Sequence, residues 1–273
     1  MTFLDVGGAR LAASTSGSPD DPAVLLIMGA GASMDYWEPS FCSALADAGR
    51  YVIRYDHRDT GESTSYPPGR PGYTSDELFA DAAGVLDALG VERAHVVGMS
   101  MGGAIAQLLA LRWPSRVRTL TLISTSSIAG GEDLPSGGFV SPPQPDWSDE
   151  AAVLEYQVAV ERALASPARP FDEAAAREFL TAVLARTTSP ESAEKNHYAT
   201  DGEGVRPGEK PADITAPTLV LHGTDDPLFP LPHGEALARE IPGARLVALP
   251  RTGHEFPREN HALVLRELIA HTA

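Results

Sequence analysis

A serine flanked by glycines, placed between a strand pattern and a helix pattern, constrains the fold of this chain more than any other feature. Residues 98–103 read Gly-Met-Ser-Met-Gly-Gly, with Ser100 in third place. The run 94–97 before it is short and mostly apolar, which predicts a buried strand, and the run 101–113 has helical spacing. Because glycines let neighbouring backbone pass closely, the pattern predicts a tight strand-to-helix turn at this serine.

Such a turn would give the serine a particular chemistry. It lifts the hydroxyl of Ser100 clear of the sheet, and the start of the following helix directs free N–H groups and the positive end of its dipole to the same place. A serine so placed can act as a nucleophile. The alternative is a structural turn in which Ser100 only caps the helix. The strand before the motif and the helix after it favour the nucleophile.

Short apolar runs alternate with longer amphipathic segments over most of the chain. The predicted strands are Val24–Met28, Tyr51–Tyr55, His95–Val97, Thr119–Ile123, Thr218–Leu221 and Leu246–Leu249. The predicted helices are Glu77–Leu89, Met101–Trp113, Gly234–Glu240 and Asn260–His271. An antiparallel hairpin, Phe3–Val6 with Arg10–Ala13, would turn at Gly7-Gly8. The pattern predicts an α/β fold with a mostly parallel, doubly wound sheet.

The alternation stops after Ser124 and resumes at Thr218. The interval opens with a stretch rich in Gly, Pro and Ser, Gly130–Pro145, and then has three helical segments: Asp149–Ala165, Asp172–Thr187 and Glu191–Tyr198. An insertion of this length is too long for an ordinary connection. We therefore predict a helical cap, or lid, over 125–212 on an α/β core formed by 1–124 and 213–273.

Charge and cysteine content exclude several classes of protein. Among 273 residues there are 21 Lys and Arg and 37 Asp and Glu, a net charge of −16. A nucleic acid or an anionic membrane surface would repel such a chain. The single cysteine, Cys42, allows neither an intrachain disulfide nor a multi-cysteine metal site. Neither a membrane-length apolar run nor a signal peptide is visible, so we expect a cytoplasmic protein.

A serine nucleophile needs a base, and the base needs an acid that orients it. For this type of turn the chain order is serine, acid, histidine. The predicted base is His254, which follows Gly253 directly after the last strand; the other histidines lie on strands, on predicted helices or before the acid. Two acids compete, Asp225 and Asp226. We favour Asp226 because Pro227 fixes the turn there, whereas Asp225 could cap the following segment.

Acyl transfer also needs N–H donors for the oxyanion that develops on the carbonyl. One predicted donor is the N–H of Met101, the residue after the nucleophile. The second should come from the loop Met28–Ala32, where Gly29 and Gly31 allow the backbone to turn inward, and Ala30 is the predicted donor. The alternative is a plain glycine-rich turn.

Other kinds of site receive little support. Asp56, His57 and Asp59 cluster like metal ligands, but Arg58 between them favours a salt-linked turn over a metal site. The Gly-Ala-Gly after the first buried strand lacks the third glycine and the acidic partner of a dinucleotide site. We therefore expect no cofactor and no metal.

Together these motifs resemble the α/β-hydrolase superfamily, and within it the group of aclacinomycin methylesterase, which cleaves a methyl ester on polycyclic aromatic polyketides. The resemblance rests on residues 26–29 with Trp37 downstream, 54–61, 95–102, 217–220, 226–227 and 253–254. It covers nearly the whole chain outside 125–212, and the family pattern Gly-x-x-Asp also selects Asp226. It implies a serine-dependent carboxyl-ester hydrolase, with Ser100, Asp226 and His254 as its catalytic triad.

The substrate is less well defined by the sequence. We expect a small-molecule ester, with a polyketide methyl ester as one candidate, in contact with residues Trp37, Tyr156, His197, Tyr198 and Phe229. Residues 125–212 hold 15 acidic and seven basic residues, which would favour neutral or cationic esters or would only form a solvated helix surface. Alternatives on the same fold are an acyltransferase, a lactonase, a cyclase or a receptor without turnover. The chain should be a monomer or a homodimer.

Overall fold

One eight-stranded sheet runs through the part of the chain that the computed structural model describes, residues 1–130, 134–202 and 204–273. Its strands are β1 (Thr2–Val6), β2 (Ala9–Ser16), β3 (Ala23–Ile27), β4 (Tyr51–Tyr55), β5 (Ala94–Met99), β6 (Val117–Ile123), β7 (Thr218–Gly223) and β8 (Arg245–Leu249). The order across the sheet is β1-β2-β4-β3-β5-β6-β7-β8, and only the pairs that include β1 or β2 are antiparallel. The predicted mostly parallel sheet and the N-terminal hairpin are confirmed.

Helices cover both faces of the sheet. On one face lie α2 (Ser75–Ala88), α3 (Met101–Arg112) and α7 (Pro232–Glu240), and on the other lie α1 (Pro39–Asp47) and α8 (Arg258–His271). Two separate clusters of buried apolar side chains, one against each group of helices, fill the space between helices and sheet. The predicted doubly wound arrangement is confirmed. Helix α1, nine residues that begin at a proline, was not predicted from the sequence.

Among the described residues, three α-helices lie between β6 and β7, where the insertion was predicted. They are α4 (Glu150–Leu164), α5 (Glu173–Arg186) and α6 (Pro190–Lys195), and a 3-10 turn, Asn196–Tyr198, follows α6. All three predicted helical segments are confirmed, and the described residues of the insertion contain no strand. Residues 131–133 of the predicted stretch Gly130–Pro145 lie outside the described residues, as does residue 203.

The end of α5 is attached to the α/β core by an ion cluster. The guanidinium of Arg186 contacts the carboxylate of Asp35 (Nη2–Oδ2 2.6 Å) and both carboxylate oxygens of Asp56 (2.6 and 2.9 Å), with Glu62 at 3.5 Å. Asp56 is fully buried. A buried carboxylate requires such a partner, so this cluster fixes the inserted helices against the core.

The parallel strands bring distant parts of the chain to one edge of the sheet. β3 ends at the loop Met28–Ala32, β5 at Ser100, β7 just before Asp226 and β8 just before His254. In open α/β sheets, ligands bind beyond the carboxyl ends of the strands, and the four segments meet there. In the described residues, no helix is long and apolar enough to cross a membrane.

Candidate active site

Ser100 stands on a strained turn between β5 and α3. Its backbone has φ 53° and ψ −121°, a region that residues with a side chain rarely adopt. The glycines around it are required by space: a Cβ on Gly98 would lie 2.1 Å from the carbonyl oxygen of Gly102, and one on Gly102 would lie 2.3 Å from that of Ile27. The turn therefore packs tightly below and presents the serine side chain above the sheet edge.

A continuous hydrogen-bond relay joins three side chains from three different segments. The imidazole Nε2 of His254 lies 3.0 Å from Ser100 Oγ, and its Nδ1 lies 2.8 Å from Asp226 Oδ2. The other oxygen of Asp226 accepts the backbone N–H groups of Leu228 and Phe229 at 2.9 and 2.8 Å. Asp226 and His254 are both buried. The backbone after β7 thus fixes the carboxylate, and the carboxylate orients the imidazole.

The electrostatics determine which ring nitrogen carries the proton. Burial by itself raises the pKa of Asp226, but the hydrogen bond with His254, the charges nearby and the N–H of Phe229 outweigh it and hold that pKa below its ordinary value. An ionised carboxylate can only accept, so Nδ1 of His254 carries the proton and Nε2 is free to accept from the hydroxyl of Ser100.

The neighbouring acid, Asp225, has different partners. Its carboxylate accepts the hydroxyl of Ser166, at the end of α4, and that of Thr224 at 3.1 Å. It makes no hydrogen bond with His254 among the described residues. Of the two candidates in the sequence, only Asp226 has the geometry of the orienting acid.

Two backbone N–H groups are available next to Ser100. Met101 is the first residue of α3, and Ala30 lies in the loop after β3; within the described part of the chain neither N–H has a protein acceptor. Gly29 allows the loop to approach, since a Cβ there would lie 3.2 Å from Ser100 Cβ. Free donors on both sides of a serine are what an oxyanion site needs.

A cavity of about 460 Å³ opens above Ser100 and His254. Its floor is the sheet edge with the loop 29–32, and its roof comes from the inserted helices, including the apolar side chains Val160, Leu164, Leu180, Val183 and Leu184. Besides His254 and two tyrosines, three carboxyl groups lie in the wall, those of Glu161, Glu194 and Glu255. The described part of the wall contains no Lys or Arg. Burial raises the pKa of Glu161 and of Glu194.

Of the predicted substrate contacts, only Tyr198 lies in the wall of this cavity. Trp37 is fully buried against Phe41 and Phe256, which makes it part of the core rather than a substrate contact. Tyr156 does not line the cavity, and its hydroxyl donates to the lining residue Glu194 at 2.6 Å.

The remaining two also lie outside the wall. Phe229 packs edge to face on the ring of His254, with centroids 5.6 Å apart, and lines a neighbouring pocket. His197 is buried behind the loop 28–32. Phe229 therefore contacts the imidazole of His254 and His197 contacts the loop 28–32, and neither lies in the wall of the cavity.

One polar pair in the wall of the cavity was not predicted from the sequence. The hydroxyl of Tyr36, just after the loop 28–32, donates to Glu161 Oε1 of α4 at 2.9 Å. A signal for Glu161 was present, because it follows Val160 on the predicted apolar face of that helix. Tyr36 gave no local signal, since its position depends on how α4 packs on the core.

Asp56, His57 and Asp59, which cluster in the sequence like metal ligands, have protein partners. Asp56 binds Arg186, His57 donates from Nε2 to the Met28 carbonyl at 2.9 Å, and Asp59 accepts the hydroxyl of Tyr73 at 2.7 Å. The predicted salt-linked turn is present, because Arg58 forms a buried bidentate pair with Asp81. The described residues contain no group of three or more His, Cys, Asp or Glu side chains that could hold a metal ion.

A serine, a histidine and an aspartate in hydrogen-bonded sequence, with free N–H donors beside the serine, form the arrangement of a serine hydrolase. The family model for the alpha/beta hydrolase fold matches residues 22–260. The chain belongs to the α/β-hydrolase family, as its motifs predicted.

Relatives of known name agree with this assignment. The chain is 38% identical to rhodomycin D methylesterase DauP of Streptomyces sp. strain C5 and 37% identical to rhodomycin D methylesterase DnrP of Streptomyces peucetius; each alignment covers 94% of this chain and 92% of the relative. Among solved structures, the meta-cleavage product hydrolase CumD of Pseudomonas fluorescens IP01 superposes with a TM-score of 0.79 at 23% identity, covering 99% of this chain and 97% of that one, which supports the fold.

Proposed function

We propose that this protein is a serine carboxyl-ester hydrolase that removes a methyl ester from a polyketide-type secondary metabolite. The observation that carries the reaction class is the relay Ser100–His254–Asp226, with consecutive distances of 3.0 and 2.8 Å. The methyl ester rests on the two rhodomycin D methylesterases that share more than a third of their residues with this chain.

The reaction begins when Ser100 Oγ attacks the ester carbonyl carbon and its proton passes to Nε2 of His254. Asp226 stabilises the imidazolium that forms. Collapse of the tetrahedral intermediate expels the alcohol, which takes the proton from His254 and leaves an acyl group on Ser100. Water, deprotonated by His254, then releases the carboxylic acid and restores the serine.

The oxyanion of each tetrahedral intermediate is stabilised by two backbone N–H groups, those of Ala30 and Met101. Both interactions strengthen as charge develops on the carbonyl oxygen, so they lower the barrier more than they tighten substrate binding. The N-terminus of α3 adds its dipole to the same place.

Residues 125–212 act as the cap of the site, over a core of residues 1–124 and 213–273. The cap supplies the apolar roof of the cavity, and a volume of about 460 Å³ suits a substrate of several rings. The wall contains three glutamates, and its described residues include no Lys or Arg. Because negative charge repels anions, neutral and cationic esters are preferred over anionic ones.

Purified protein tests the reaction class directly. We expect turnover of p-nitrophenyl acetate and release of methanol from the methyl ester of a polycyclic aromatic acid. Ser100→Ala should lower kcat by about a thousandfold or more while the unfolding temperature stays close to that of the parent. A folded Ser100→Ala protein within tenfold of the parent would remove Ser100 from the mechanism.

Product analysis separates the hydrolase from the other reactions this fold supports. Formation of a new ester or amide when an alcohol or amine acceptor is added would identify an acyltransferase. One burst of p-nitrophenol without further turnover would identify a receptor. A cytoplasmic location and a monomeric or homodimeric state remain predictions, which cell fractionation and light scattering would check.

A further inference from the structure

Two buried histidines hold the loop that carries the proposed donor Ala30. On one side of Ala30, the carbonyl of Met28 accepts Nε2–H of His57 at 2.9 Å. On the other side, the N–H of Gly31 donates to Nδ1 of His197 at 3.0 Å. The two imidazole rings pack edge to face, with centroids 5.7 Å apart. Ala30 therefore lies between two anchored points of the backbone.

The partners of His197 fix its tautomer. Its Nε2 faces the carbonyl oxygen of Arg58 at 2.8 Å, so Nε2 must carry the proton and Nδ1 must be the acceptor for the Gly31 N–H. Burial lowers the pKa of His197 and lowers that of His57 to about 3, which keeps both rings neutral. A neutral ring is required here, because a proton on Nδ1 would face the N–H of Gly31.

His197 belongs to the insertion, and its position there is rigid. The adjacent Asn196 accepts the N–H of Gly69 at 2.7 Å and donates to the carbonyls of Tyr66 and Pro67. Asn196 is fully buried, and the turn containing His197 is therefore tied to the core loop at 66–69. Because the turn is held rigidly, His197 can hold the loop 28–32 in a fixed position.

We propose that His197 is a positioning residue of the oxyanion hole: by accepting the Gly31 N–H, it orients the adjoining peptide so that the N–H of Ala30 faces the cavity above Ser100. The inference rests on the proposed function, since it requires an oxyanion to be stabilised. It gives the insertion a second task. Besides roofing the cavity, the insertion completes the catalytic centre of the core.

Three substitutions of His197 test the proposal, because they differ in whether they offer an acceptor for the Gly31 N–H. The amide oxygen of asparagine can take the place of Nδ1, whereas glutamine matches Nε2 and alanine leaves neither. With p-nitrophenyl acetate, His197→Ala and His197→Gln should each lose about tenfold or more in kcat with KM within about twofold, because the lost orientation affects the transition state more than substrate binding. His197→Asn should stay within about threefold of the parent.

His95→Ala is the matched control. His95 is as buried as His197. It lies at the start of β5, at the opposite end of that strand from Ser100, and bonds Thr119 of β6. This variant should lose stability without a loss of kcat. A folded His197→Ala variant with kcat within twofold of the parent would overturn the proposal. If the alanine variant does not fold, equal losses of kcat in His197→Asn and His197→Gln would overturn it. Ser100→Ala, assayed in parallel, separates failure of this proposal from failure of the hydrolase assignment.

Discussion

At the scale of single residues, the site depends on a few side chains whose surroundings leave little freedom. Ser100 adopts its strained backbone because Gly98 and Gly102 allow the neighbouring segments to pack against the turn. Two backbone N–H groups fix one oxygen of Asp226, and its other oxygen accepts from His254 at 2.8 Å. The chemistry of the site is thus set by local backbone geometry.

The two adjacent aspartates give the first prediction. Asp226→Asn should lower kcat for p-nitrophenyl acetate by about 10³- to 10⁴-fold, because an amide cannot hold the Nδ1–H tautomer of His254 or stabilise its charged form. Asp225→Asn should cost less than tenfold, since Asp225 bonds Ser166 and Thr224. Steady-state kinetics of both variants decide between them. The reverse ranking would mean that the neighbouring carboxylate orients the base.

Sequence was sufficient to find these residues because each lies in a short local pattern. Ser100 has its glycine-flanked turn, Asp226 follows a buried strand, and His254 follows a glycine shortly after the last strand. The residues behind them were harder to identify. His197 was expected to contact substrate but bonds Gly31, which is 166 positions away in the chain. Such a contact depends on how the insertion packs on the core, and no local pattern contains that information.

At the scale of secondary structure, the inserted helices were predicted by their apolar spacing, but the direction of each face was not. Val160 and Leu164 of α4 line the cavity, whereas Tyr156 of the same helix does not. The rotation of α4 follows from its packing against α5 and from the pair between Glu161 and Tyr36. Helix α1 was missed although its buried residues Phe41, Cys42 and Leu45 have helical spacing.

The end of α5 gives a prediction at this scale. Arg186→Met would leave the buried carboxylate of Asp56 without its cation, and we expect a loss of about 3 kcal/mol in the free energy of unfolding. Arg177→Met, on the exposed side of the same helix, should change that free energy much less. Urea denaturation of the two variants makes the comparison. Equal losses would show that the Arg186 cluster does not fasten α5 to the core.

At the scale of the whole molecule, acidic charge reaches into the catalytic cavity. Burial raises the pKa of Glu161 and Glu194. A carboxyl whose pKa is raised on folding stabilises the protein below the ordinary glutamate value of about 4.3, and that stabilisation is lost as pH rises through the raised pKa. These two groups should therefore destabilise the fold at neutral and alkaline pH.

The double variant Glu161→Gln with Glu194→Gln tests this sign. Its unfolding temperature should exceed that of the parent at pH 8, and the difference should shrink or vanish at pH 4. Glu155→Gln is a suitable control, since the hydrogen bond from Arg177 lowers the pKa of Glu155. Calorimetry at the two pH values provides the measurement. A difference that does not vary with pH would contradict the raised pKa of the pair.

The same double variant bears on substrate choice. If the two carboxylates favour cationic esters, their loss should reduce the ratio of kcat/KM for an amine-bearing ester to that for a neutral ester of equal size. An unchanged ratio would confine the effect of these glutamates to stability. The composition of the insertion indicated the charge, but only the packed structure shows which two of its glutamates line the cavity beside Glu255.

The sheet order has a consequence for how the protein acquires activity. The site is assembled from nearly the whole length of the chain: the loop after β3, Ser100, His197, Asp226 and His254. The parallel strand pairs that bring these segments together require crossover connections; they include β3 with β5, β5 with β6 and β7 with β8. Contacts so distant in sequence form late and slowly, whereas the hairpin β1–β2 is local. A nascent chain released before β8 would lack the base altogether. During refolding, ester hydrolysis should therefore recover only when the last strands have paired. Its recovery should be slower than that of the helical circular dichroism signal.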